Sequence, residues 1–117
     1  TLMMDVTATL VAAVGGQPAK GRPFDGKNLL AQWKGATPVP RTVFWRYKRA
    51  ENRRKAVRDG DWKLVSESGK ESLYDLKADP QEKNDLLAKE PKIAASLREK
   101  LAAWEKDVAA PRLKDFR

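Results

Sequence analysis

The chain has 117 residues, 41% of them hydrophobic and 34% charged, which suits one modest globular core and argues against a globally disordered chain. It has no cysteine and no histidine, which removes disulfides, thiolate nucleophiles and the commonest general base and transition-metal ligand, and so argues against a self-sufficient hydrolase or zinc enzyme. The formal net charge of +8 is concentrated, because residues 41–58 carry eight Lys or Arg against Glu51 alone, a strip suited to polyanions such as nucleic acid, anionic membrane or sulfated polysaccharide.

From the N-terminus, Met3, Val6, Leu10 and Val14 recur at helical spacing and predict a helix with that stripe as its apolar face, stopped by Gly15-Gly16. The same run contains Asp5, is too short to cross a bilayer and lacks the basic start of a signal peptide. Because Thr1 already stands inside the helical pattern, the chain is expected to be a piece of a longer protein. Residues 17–23, with two prolines and a glycine, predict an exposed connection. Asn28 to Gly35 predicts two helical turns ended by Gly35.

After Pro38 and Pro40 the pattern changes to period two. Val43, Trp45 and Tyr47 alternate with Phe44, Arg46 and Lys48, predicting a strand over 42–49, while Ala50 to Lys55 has no apolar pattern and reads as a basic loop. Asp59-Gly60 lies between two β-prone runs and predicts a type I′ hairpin turn, and Ser66 to Lys70 a second reversal. The expected strands are therefore 42–49, 55–59, 61–66 and 71–76, in a four-stranded antiparallel meander. Trp62 and Leu64 share one face while Val65 takes the other, and both faces carry apolar residues, so two covers are expected. Asp79-Pro80-Gln81-Glu82 has the form of a capping box and predicts a short helix. From Pro91, the stripe Ile93, Leu97, Leu101, Trp104 and Val108 predicts a long amphipathic helix that lies on the sheet, ended by Pro111 and followed by a charged tail.

The string AVRDGDWKLV (56–65), with SLYDLKADPQEKNDL (72–86), resembles the closing segment of sulfatases in the alkaline phosphatase superfamily, and RTVFWRY (41–47), FDGKNLL (24–30) and MMDVTATLVAAVGG (3–16) extend the resemblance over nearly the whole chain. The fold it implies is α+β: a four-stranded antiparallel sheet packed by a C-terminal helix, with an N-terminal helix left over from a larger α/β catalytic domain. Residues 1–35 would be the tail end of that domain, and residues 36–117 the C-terminal subdomain. The resemblance also implies a sulfuric ester hydrolase of arylsulfatase type as the parent, exported to the periplasm or secreted. Its formylglycine, made in a C/S-x-P-x-R motif, and its calcium would belong to the missing catalytic domain. This chain has no such motif, so no catalytic and no metal-binding residue is expected in it, and the fragment alone should be inactive.

The substrate-binding candidates are Trp45, Arg46, Arg49, Arg53, Arg54 and Lys55, with Tyr47 as a second stacking surface. Arginine offers bidentate hydrogen bonds to sulfate or carboxylate, and a ring can stack on a sugar. The plain alternatives are a solvated basic loop and, for Trp33, Trp45, Trp62 and Trp104, the core. Asp59, Asp61, Asp75 and Asp79 suit turns and caps better than a cation site, and Lys63 suits an ion pair. Three functions remain in competition. They are a sulfatase segment that shapes the rim of a substrate cleft, a stand-alone basic module binding polyanions or nucleic acid, and an assembly domain with an exposed apolar face. The expected partners are the missing catalytic domain and a sulfated polysaccharide, ahead of nucleic acid, with no membrane partner.

Overall fold

The computed structural model describes residues 2–49 and 52–109, excluding the side chains at 49 and 52. The chain divides into two compact units, Thr1–Val39 and Pro40–Arg117.

The first unit holds helix α1 (Met3–Ala13) and the single turn α2 (Leu30–Trp33). The buried face of α1 is polar: Asp5 and Thr9 are fully buried beside Ala8, whereas Met3 and Val14 of the expected apolar stripe are 88% and 84% exposed. Backbone satisfaction explains the inversion. Asp5 and Thr9 stand one turn apart on the helix, and each accepts a backbone N–H from the returning segment, Lys27 N to Asp5 Oδ1 and Leu29 N to Thr9 Oγ1, both at 2.9 Å. Asp5 also caps the helix by accepting Leu2 N at 2.7 Å, and the Thr9 hydroxyl donates to the Asp5 carbonyl at 2.7 Å. A buried carboxylate is tolerated only when it is bonded in this way. Gly26 lets the strap approach, since a Cβ there would stand 2.1 Å from the Met4 carbonyl oxygen. The helix stop holds as expected at Gly15, with φ of +74°. Asn28–Gly35 yields one turn rather than two, ended by Gly35 at φ +97°. Trp33 is 49% exposed and is not a core residue of this unit.

The second unit is the expected α+β arrangement. Strands β1 (Thr42–Arg49), β2 (Asn52–Asp59), β3 (Trp62–Glu67) and β4 (Lys70–Asp75) form an antiparallel sheet in sequence order, followed by helix α3 (Pro91–Ala109). The register aligns Phe44 with Val57, Val57 with Leu64 and Leu64 with Leu73, giving one apolar row across all four strands. Val57, Leu64 and Leu73 have no exposed surface and pack with Ala94, Leu97 and Leu101 of α3. Ile93 and Trp104 extend the helix stripe, and the Trp104 ring stacks on Phe44 at 5.1 Å between centroids. Each fully buried aliphatic side chain contributes about 1.5–3 kcal/mol. This row is the main source of the unit's stability.

Three local expectations are corrected. Residues 52–55 belong to β2 and not to a loop, because pairing with 46–49 supplies their backbone partners; residues 50 and 51 lie outside the described residues. The β2–β3 turn has Gly60-Asp61 at its centre, since Asp59 pairs with Trp62, and only Gly60 has positive φ, the pattern of a type II′ turn. The type I′ signature falls instead at Ser68-Gly69, with φ of 49° and 91°. No helix forms at Asp79. Its carboxylate accepts Lys83 N and Asn84 N, both at 2.7 Å, and Glu82 takes φ +55° while its side chain turns to Lys63 at 2.6 Å, so neither half of a capping box forms. The segment covers the β4 edge instead: Asp85 Oδ1 accepts Leu73 N at 3.0 Å and Leu86 N donates to the Leu73 carbonyl at 2.8 Å. The expected end of α3 at Pro111 and the charged tail lie outside the described residues.

The face assignment predicts unequal costs on truncation. Leu64→Ala should cost about 2–5 kcal/mol in urea unfolding, whereas Trp45→Ala should stay within about 0.5 kcal/mol. Similar costs for the two would contradict the assignment.

Candidate polyanion-binding surface

Alternation along β1 and β2 distributes the basic strip over both faces of the sheet. Trp45 pairs with Ala56 and Tyr47 with Arg54, away from α3, and Trp45 and Tyr47 are 41% and 54% exposed. Arg46 pairs with Lys55, and Lys48 with Arg53, on the face that meets α3. Arg49 stands opposite Asn52 at the hairpin end, and its side chain lies outside the described residues.

Two of the helix-side cations, Lys55 and Arg46, are held by contacts with α3. The Lys55 ammonium donates to both Glu105 carboxylate oxygens, at 3.1 and 2.9 Å. The Arg46 guanidinium sits over the Trp104 ring, 5.8 Å from its centroid, a cation–π arrangement. On the opposite face Arg54 pairs with Glu67, both largely exposed, a contact of small energetic value. At this end of the hairpin lies a concavity of about 450 Å³ lined by Arg46, Lys48, Arg53, Lys55 and Glu105 on the α3 side, with Tyr47 and Arg54, whose strand positions face the other way, also at its border. Four candidate residues, Arg46, Arg53, Arg54 and Lys55, line this hollow, and Trp45 does not.

Two lining residues, Lys48 and Glu105, were not among the sequence candidates. Lys48 was legible, since period two puts it on the side of Arg46. Glu105 was not, because nothing in the sequence says that α3 crosses β1 and β2 at that point.

Other charges serve the fold. Lys100 pairs with Asp59, and Arg98 with Glu71 at 2.6 Å, so these pairs and Lys55–Glu105 tie α3 to the sheet. The hydrogen bond from Lys100, with a second from Thr42, holds the Asp59 carboxyl below its usual range. The Leu73 and Leu87 backbone N–H groups do the same for Asp85. Asp75 accepts Lys77 N at 2.9 Å, which is turn chemistry. Among the described residues no group of three acidic, His or Cys side chains could hold a metal, and no helix is long and apolar enough to cross a membrane.

No protein-family model and no curated protein matches the sequence. Solved structures do match in fold. A 2-O GAG sulfatase superposes with a TM-score of 0.69 at 24% identity, covering 91% of this chain and 25% of its own. The chain has the fold of a sulfatase segment. A sulfatase from the core genetic locus for metabolism of multiple glycosaminoglycans in Bacteroides thetaiotaomicron gives 0.67 at 22% identity, covering 87% of this chain and 24% of its own. A Bacteroides fragilis protein assigned as a sulfatase gives 0.67 at 18% identity, with 92% and 25% coverage. The chain thus spans about a quarter of the length of the sulfatase structures it matches.

Asp59 supplies a pH test. Its lowered pKa means that its contribution is complete above the unfolded value and is lost as pH falls through the folded one. Thermal melts at stepped pH should show stability falling below about pH 4, and Asp59→Asn should make that acid limb shallower, Asp85 carrying part of the remainder. An unchanged limb would show that Asp59 does not carry it.

Proposed function

We propose that the chain is the C-terminal segment of a sulfatase, forming part of the rim of the parent enzyme's substrate cleft and contributing no catalytic residue. The observation that carries this reading is the superposition of 91% of the chain on a quarter of a sulfatase, joined to the ordered motifs from Met3 to Leu86. Sulfuric ester hydrolysis then belongs to the parent, with its formylglycine and calcium in the α/β catalytic domain. The donors in this chain fit neither group: it has no C/S-x-P-x-R motif from which a formylglycine could be made, and calcium needs clustered oxygen ligands, which among the described residues no group of three acidic side chains supplies.

The substrate class we assign to the parent is a sulfated polysaccharide. Two of the matching structures are sulfatases whose names concern GAG or glycosaminoglycan metabolism, and among the described residues the hollow at the β1–β2 end sets Arg46, Lys48, Arg53 and Lys55 beside Glu105. A single exposed ionic contact contributes about 0.2–1 kcal/mol, so several must act together. Arg46, Arg53, Arg54 and Lys55 would hold anionic groups beyond the ester being cleaved, Arg49 would extend the site at the hairpin end, and Trp45 or Tyr47 would stack on a sugar from the opposite face.

The 117-residue protein should give no hydrolysis of p-nitrophenyl sulfate, with or without calcium, and turnover surviving repurification would overturn the reading. In the parent enzyme, Arg53→Ala with Arg54→Ala should raise KM for a sulfated polysaccharide several-fold, less so as salt is added. Hydrolysis of the small ester should be unchanged; equal losses on both substrates would indicate a folding defect.

A further inference from the structure

Within the basic strip, the register does something costly. Arg46 stands directly opposite Lys55, and Lys48 opposite Arg53, on the α3 side of neighbouring strands. Like charges directly opposed across an antiparallel pair are destabilising, and here two such pairs are adjacent. Breaking a local rule of this kind without gain to the fold marks a functional site. All four line the same concavity, where Glu105 is the one acidic lining residue among the described residues and is already bonded to Lys55 through both oxygens.

From this arrangement we infer that Arg46, Lys48, Arg53 and Lys55 form a subsite for a sulfated saccharide, with Glu105 as a built-in counter-ion that the ligand displaces. The inference rests on the sulfatase reading and adds which cations act and what regulates them. In the empty site Glu105 neutralises Lys55 and limits the cross-strand repulsion. When ligand arrives, a sulfate takes Glu105's place on Lys55, and the released carboxylate accepts hydrogen bonds from sugar hydroxyls. Arg46 keeps its place over Trp104, which leaves the edge of its guanidinium for a second anion. A hollow that pairs cations with one carboxylate suits a polymer that alternates anions with hydroxyl donors. A DNA backbone offers phosphates without such hydroxyls, so it leaves the released carboxylate without those donors.

The test is calorimetric titration of the full 117-residue protein with a heparin-derived octasaccharide, and with single-stranded DNA of equal charge, at low salt. Glu105→Gln should bind the octasaccharide roughly threefold or more tighter while lowering the melting temperature, a combination that a merely structural role for Glu105 would not produce. Lys48→Ala with Arg53→Ala should weaken binding about tenfold or more, retaining the native circular dichroism spectrum. Unchanged or weaker octasaccharide binding by folded Glu105→Gln overturns the counter-ion role. DNA binding as tight as the octasaccharide overturns the assigned ligand class. No loss in the double variant overturns the subsite. None of these outcomes bears on the parent enzyme's hydrolysis of a small aryl sulfate, so failure of the subsite is distinguishable from failure of the sulfatase reading.

Discussion

With Val57, Leu64 and Leu73 aligned across three strands and α3 laid over them, the pleat of the second unit has no freedom left. A slip of one residue in any pairing would turn one of these side chains to the opposite face and replace it under the helix with Arg58 or Ala56, Lys63 or Val65, or Ser72 or Tyr74. Phe44 continues the row at the outer strand and is held there by Trp104. Everything else about the sheet is a consequence. Trp45 and Tyr47 must face away from α3 because Phe44 faces it, and Arg46 and Lys48 must share Phe44's side.

The same constraint explains why charge is used as it is. Around the apolar row the strands present Asp59, Glu71 and Lys55 on the helix side, and α3 answers with Lys100, Arg98 and Glu105. These pairs are partly exposed, so they add little to stability individually. Together they link three positions along α3 to strands β2 and β4. The Lys55–Glu105 pair belongs to this set and also borders the hollow, so one contact serves both the seating of the helix and the charge of the surface.

Most of the second unit was legible in the sequence because its signals are periodic and agree with one another: two-residue alternation in 42–49, turn glycines at 60 and 69, and the 3.6-residue stripe from Ile93 to Trp104. The misses have a common cause, which is that a polar group's partner lies elsewhere in space. Asp79 and Glu82 carry a capping pattern, yet Lys63 claims Glu82 and the β4 edge claims Asp85 and Leu86, so the segment serves as an edge strap. Met3, Leu10 and Val14 predicted a buried stripe, yet the 25–30 segment needs donors satisfied, and Asp5 and Thr9 are the acceptors on the other side of α1. The basic strip was read correctly as a concentration of charge. Its split over two faces, and the place of Glu105 beside it, depend on pairing partners that no local pattern reveals.

Fold similarity at this level of identity concerns architecture, and one architecture supports many functions. The claim that the chain is part of a sulfatase therefore turns on what else the polypeptide contains. The direct measurement is the mass and peptide map of the native protein, captured from its source cells with an antibody raised against this chain. A quarter-length segment predicts a polypeptide of about four times the chain's 13.2 kDa, with a peptide of the form C/S-x-P-x-R whose first residue is converted to formylglycine. A native protein of 13.2 kDa, or a longer one lacking that peptide, would contradict the account.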